Sequence, residues 1–147
     1  MKTLVICPKK SGNTHQVCQY VCSSSGAELM ALGDVAGPDL GGFDIIIFAS
    51  GIYAGRLHKN ILEFAKSIQP DSLKPGVKFY LFMTWFGRGG SDQMALTELR
   101  KILNGKGLTL EENYMTCFGK GMGVVRMSHP NDADCKNVLA WVKELSN

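Results

Sequence analysis

Apolar positions along the chain follow two patterns, and the patterns alternate. Thr3 to Cys7 is a short β-rich apolar run, stopped by Pro8, Lys9 and Lys10. It reads as a buried strand. From Thr14 the spacing becomes helical, with Val17, Cys18, Val21 and Cys22 on one face. Asn13 is the expected cap of that helix and Ser23 to Gly26 its end. Ala27 to Leu32 can form a second strand, and Asp34 to Gly42 is a loop rich in Gly, Asp and Pro. Phe43 to Ala49 is apolar at nearly every position, the pattern of a central strand covered on both faces. Leu57, Ile61, Phe64, Ala65 and Ile68 then repeat at helical spacing up to Pro70.

Val77 to Met83 is a further continuous strand, and Met94, Ala95, Leu99, Ile102 and Leu103 mark a helix ended by Asn104 and Gly105. Leu108 to Phe118 holds a fifth strand, expected to split near Glu111 to Asn113. Cys135, Val138, Leu139, Val142 and Leu145 mark a last helix, capped by Asn131 or Asp132. Strands alternating with helices predict an α/β fold, a parallel sheet with helices on both faces, and one domain filling residues 1–147. In such folds ligands bind beyond the carboxyl ends of the strands.

Composition narrows the function only slightly. The chain has 147 residues, 45% hydrophobic and 20% charged, with a formal net charge of +3. Those values fit a globular domain and give no argument for nucleic acid or for a membrane. Met1 to Ile6 carries one basic residue and too short an apolar run for a signal peptide. Five cysteines without a CxxC pair read as small buried apolar residues of a cytoplasmic protein, a redox dithiol or metal site being the alternative.

Three loops at strand ends carry the chemistry. The first, Pro8 to Thr14, opens a helix directly. Its backbone N–H groups, the side chains of Ser11, Asn13 and Thr14, and Gly12 make either a phosphate cradle or an ordinary capped helix start. The second, Ser50-Gly51-Ile52-Tyr53-Ala54-Gly55-Arg56, sets an apolar-aromatic pair between glycines. The third, Thr84-Trp85-Phe86-Gly87-Arg88-Gly89-Gly90-Ser91, sets two aromatics beside three glycines. Aromatic faces with close-approaching backbone suit a planar ligand, and the phosphate loop suits its anionic end.

Other nucleotide motifs do not fit. There is no GxxxxGK[ST] and no GxGxxG after the first strand. The sixth residue after Cys7 is Asn13, so a thiolate phosphatase would lack its anion-binding arginine. No Ser-His-Asp set, catalytic carboxylate pair or metal cluster is apparent, so no catalytic residue and no metal ligand is assigned. His15, His58 and His129 are scattered and read as surface or capping residues.

Lys10-Ser11-Gly12-Asn13-Thr14, Ser50 to Lys59, Thr84 to Gly87, Cys117 to Gly121 and His129 to Asp134 together resemble the flavodoxin family over nearly the whole chain. The resemblance implies a three-layer flavodoxin-like sandwich, a five-stranded parallel sheet of order 2-1-3-4-5, and non-covalent FMN. It implies that Lys10, Ser11, Gly12, Asn13 and Thr14 hold the phosphate. Ser50, Gly51, Ile52, Tyr53, Ala54 and Gly55 would border the ring, with Tyr53 stacking on it. Thr84, Trp85, Phe86, Gly87, Gly89 and Gly90 would meet it from the other side. The Gly51–Ile52 peptide is expected to serve the flavin N5.

Two departures stand out: Lys9 replaces the family's usual hydroxyl residue, and the chain is mildly basic where flavodoxins are usually acidic. The implied function is electron transfer through FMN to a redox partner protein. The alternatives are a small FMN-dependent oxidoreductase reducing an organic acceptor, with or without NAD(P)H, and a cofactor-free interaction domain.

Overall fold

The computed structural model describes residues 1–33, 39–85, 89–119 and 130–146. Five strands run parallel: β1 (Thr3–Cys7), β2 (Glu28–Ala31), β3 (Ile45–Tyr53), β5 (Lys78–Trp85) and β6 (Met115–Phe118). Their order in the sheet is β2-β1-β3-β5-β6, and a two-residue strand β4 (Arg56–Leu57) pairs antiparallel with the end of β3. Counting the parallel strands alone, this is the order 2-1-3-4-5.

Period-two alternation divides every central strand between two cores. Leu4 and Ile6 of β1, Ile46 and Phe48 of β3, and Phe79, Leu81 and Met83 of β5 face one side. They pack against α2 (Lys59–Ser67) and α3 (Ser91–Asn104) through Ile61, Leu62, Ala65, Ala95, Leu96, Leu99 and Leu103. Val5, Cys7, Ile45, Ile47, Ala49, Tyr80 and Phe82 face the other side, against α1 (Gly12–Ser25) and α4 (Asp132–Leu145). The registers Leu4↔Ile46 and Ile46↔Phe79 put like-facing residues side by side. Phe48 anchors the first core, stacking on Phe79 with ring centroids 5.9 Å apart. Each such ring, fully buried, contributes about 2–3 kcal/mol.

Helix α4 is fixed by specific polar contacts. Asn131 and Asp134 form a reciprocal capping box at the start of α4. Trp141 of the same helix donates its Nε1–H to Asn113 Oδ1 at 3.0 Å and meets the edge of Tyr80. At the amino-terminal edge of the sheet, Asp44 ties three strands together. It accepts from the Lys2 backbone N–H at 2.8 Å and from Lys74 Nζ at 2.6 Å, and its carbonyl accepts from Lys78 N–H at 3.0 Å.

Several boundaries differ from the sequence-based expectation. Helix α1 starts at Gly12 with Ser11 as cap, not at Thr14 with Asn13. Ser11 is extended, and Gly12 takes φ +91°, a conformation open to glycine, so the chain turns into the helix two residues early. Strand β3 does not end at Ala49. It stays paired with β5 as far as Gly51↔Thr84, then folds back on β4 through the two-residue tip Ala54-Gly55. Leu57, expected on the following helix, therefore lies on β4. Ala54 (φ +51°) and Gly55 (φ +80°) are both left-handed, the geometry of a tight hairpin turn. The usual Asn-Gly or Asp-Gly signature is absent, which hid the hairpin. The fifth parallel strand splits as expected, with a single bridge Phe79↔Leu110 before β6.

Two outcomes follow from these contacts. Ala54→Asn relieves a left-handed alanine and should raise stability by about 0.5 kcal/mol, whereas Ala54→Val should lower it by about 1–2 kcal/mol. Urea unfolding checks both, and a destabilised A54N would overturn the hairpin geometry. The Lys74 bond, then the Lys2 backbone bond, holds the Asp44 carboxyl below its ordinary range. That stabilisation is present above the unfolded-state pKa and disappears as pH falls through the folded value. The gap in melting temperature between the parent protein and D44N should thus be open at pH 7 and close in acid; a gap constant with pH would refute it.

Candidate functional site

The carboxyl ends of β1, β3, β5 and β6 and the amino ends of α1, α2 and α3 meet at one edge of the sheet. Buried hydrogen bonds lock this edge. Thr14 in the first turn of α1 and Thr84 near the end of β5 join Oγ1 to Oγ1 at 2.8 Å, and both are buried. The Asn60 side chain of α2 donates to the Pro8 carbonyl at 3.0 Å, fastening the loop after β1. Ser50, fully buried, accepts the His58 backbone N–H at 2.8 Å and donates to the Gly51 carbonyl at 2.7 Å. His58 caps α2, its Nδ1 accepting the Asn60 backbone N–H at 3.0 Å. Burial, then Lys9 and Lys59, lower the pKa of that imidazole.

The amino end of α1 has the properties of an anion site. Its first turn carries no acidic residue, and the Ser11 side chain makes no capping bond. The first-turn amides thus add to a helix dipole worth about 0.3–1 kcal/mol to an anion at its end. Lys10, Ser11 and Gly12 are exposed. A Cβ on Gly12 would come no nearer than 3.8 Å to Lys9 Cε, so the need for glycine there is conformational.

Asn13 turns inward instead. A Cβ on Gly119 would lie 2.6 Å from Asn13 Nδ2, so any side chain there would require Asn13 to shift. The Gly119 N–H in turn donates to the Trp85 carbonyl at 2.8 Å. Gly119 thereby couples the first and third loops. Sequence reasoning gave it no role, although it stands in the Cys117 to Gly121 stretch.

Strand alternation sorts the second loop. Ile52 packs on the first core, while Tyr53 points outward and is 53% exposed. The Tyr53 ring folds back across Gly51: a Cβ on Gly51 would sit 2.9 Å from the tyrosine hydroxyl. Its edge meets His58 with centroids 5.7 Å apart. The Gly51–Ile52 peptide lies within the β ladder, opposite Thr84 and Leu57. The tip is clamped from α3, where Met94 lies over Gly55 and Arg56 bonds Glu98 with contacts of 2.8–3.2 Å.

In the third loop, Thr84 and Trp85 belong to β5, and Gly89 and Gly90 are exposed just before α3. Phe86 and Gly87 lie outside the described residues. The structure thus brings the three predicted segments together. It turns Ser50, Thr14 and Ile52 inward as supports and leaves Tyr53 as the exposed aromatic among their described residues. His58 and Asn60 join them as further supports.

All five cysteines are unpaired and buried. Burial pushes their thiols up, Cys22 and Cys117 to about 12, so none is a ready nucleophile. Among the described residues no group of three or more His, Cys, Asp or Glu is placed to hold a metal ion. No described helix is long and apolar enough to cross a membrane.

Comparison with known proteins agrees with this architecture. An uncharacterised protein of Methanocaldococcus jannaschii is 28% identical over 140 residues, covering 90% of this chain and 89% of that protein. A flavodoxin from the domain Archaea superposes with a TM-score of 0.71 at 17% identity, covering 99% of this chain and 96% of the other. Oxidised flavodoxin 1 from Bacillus cereus gives 0.68 at 18% identity, covering 100% and 99%. At these identities the structures speak for the fold alone. The sequence itself matches the flavodoxin domain from residue 4 to residue 119, a span that includes all three loops and Gly119. The chain belongs to the flavodoxin family.

Proposed function

We propose that the chain binds FMN non-covalently at this edge and passes electrons between it and a redox partner. The observation that carries the reading is the start of α1. An uncapped, acid-free helix end with an exposed Ser11-Gly12 turn faces the same edge as an outward tyrosine. A phosphate and a flat ring need those two features side by side. The solved relatives described as flavodoxins support it.

In this reading the α1 amides and Ser11 hold the phosphate, with Lys10 adding charge. Tyr53 and the end of β5 flank the ring. Thr14, Thr84, Ser50, Asn60 and Gly119 hold those elements at fixed spacing. FMN, when bound, supplies the electron-accepting ring, and the protein sets access to it. The five unpaired cysteines support a reducing, cytoplasmic location. A second reading, an FMN-dependent oxidoreductase acting on a small organic acceptor, is favoured by the mildly basic charge of +3, which departs from a typical electron carrier.

Protein incubated with FMN and desalted should stay yellow and show flavin absorbance; colourless protein after that treatment refutes the proposal. Stepwise reduction giving two separate one-electron waves supports the carrier, and turnover of NAD(P)H with a small acceptor supports the enzyme. Gly12→Val should weaken FMN about tenfold or more and riboflavin little, because it forces a β-branched residue into a left-handed turn under the phosphate. Equal losses for both ligands would sink the phosphate assignment. Gly119→Ala should displace Asn13 and cut FMN affinity about tenfold, at a cost of about 1–2 kcal/mol in stability. Unchanged affinity in titration would remove Gly119 from the site.

A further inference from the structure

The charged groups beside Tyr53 are unevenly distributed. Lys9, in the loop after β1, and Lys59, at the start of α2, are both exposed, and both lie near enough to His58 to lower its pKa. Neither makes an ion pair with another described residue. Arg56 is matched by Glu98 and adds no net charge.

This surface continues over the hairpin tip. Met94, 61% exposed, covers Gly55 and also lines a groove of about 590 Å³ between α2 and α3. Lys66 and Lys101 stand in the same groove with Thr97 and Ile102. Of the acids on α2 and α3, Asp92 accepts from the Tyr114 hydroxyl at 3.1 Å and Glu98 is held by Arg56. Glu63 and Asp92 are the acids left against Lys9, Lys59, Lys66 and Lys101.

We propose that this face, from Lys9 and Tyr53 across the hairpin tip into the α2–α3 groove, docks an acidic redox protein. The proposal rests on the FMN reading and adds the charge of the partner to it. Two features favour a protein over a small acceptor. The cations are spread over three separate elements rather than converging on one point. The apolar contacts, Tyr53 beside His58 and Met94 over the hairpin tip, are exposed on the same face, as protein interfaces require of their apolar anchors. Complementary charge steers encounter and raises the association rate more than the affinity.

The test uses the FMN-loaded, reduced protein and two forms of one acceptor: native cytochrome c, which is basic, and succinylated cytochrome c, which is acidic. An FMN titration comes first, so that failure to bind flavin is seen separately. At low salt the succinylated form should be reduced about tenfold or more faster than the native form, with a rate that falls as ionic strength rises. The double variant Lys59→Glu with Lys66→Glu should erase or reverse that preference while FMN affinity and melting temperature hold. Lys143→Glu, at the far end of α4, should leave it unchanged. A parent protein that prefers native cytochrome c, or rates indifferent to salt and to the double variant, would overturn the proposal. Ferricyanide provides the small-anion arm. If its rate shows the salt and variant dependence and the succinylated protein's does not, the charge serves a small anionic acceptor and the protein-docking proposal fails.

Discussion

Everything in this fold depends on burying both faces of β1, β3 and β5. Ile45 to Ala49 has no polar side chain to offer water on either side. With about 25 cal/mol per Å² of apolar surface at stake, the strand needs a covering layer above and below. Parallel neighbours require crossovers, and the crossover helices α1, α2 and α3, with α4 after the last strand, supply those layers: α1 and α4 on one face, α2 and α3 on the other. The same connectivity forces every strand-to-helix loop to the carboxyl edge. The site is therefore a consequence of core burial: the sheet collects the loops before any of them meets a ligand.

What happens at that edge is set by small buried polar contacts rather than by area. The Thr14–Thr84 pair joins the helix after β1 to the strand two positions away, and Asn60 fastens the β1 loop from α2. Each bond is worth only about 1 kcal/mol net, but a buried hydroxyl left without its partner costs more than the bond returns. These contacts therefore act mainly on spacing. They make the turn into α1 and the ends of β3 and β5 one rigid unit, which is what the proposed ligand, with a charged end and a flat end, would demand.

The elements legible in the sequence were those written as continuous or periodic apolar runs. All the parallel strands, all four helices and the split before β6 follow from Val, Ile, Leu and Phe spacing, since burial decides them. The hairpin was not legible. Its tip is Ala-Gly, and an alanine at φ +51° announces nothing in one-letter code. The support residues were hidden for a related reason. Ser50 and Thr14 read as ligand-binding loop residues, and only the fold shows that they bond His58 and Thr84, eight and seventy residues away. Gly119 was hidden because its meaning lies in Asn13, across the sheet. Long-range contact is the information that a local pattern lacks.

Charge is where this chain departs most from what its fold suggests. The fold constrains the shape of the edge and says little about its sign, because Lys9, Lys59, Lys66 and Lys101 are exposed and support no core. Surface charges of this kind are free to follow a partner. The Arg56–Glu98 bond neutralises one pair, which leaves Lys9 and Lys59 near His58 and Lys66 and Lys101 in the α2–α3 groove against only Glu63 and Asp92. On the docking proposed above, a partner with basic docking residues would meet repulsion at this face, and repulsion of that kind slows encounter before any contact forms. On the same proposal the sign of the face restricts which redox proteins this flavodoxin-family chain can serve, in a way its sheet topology does not.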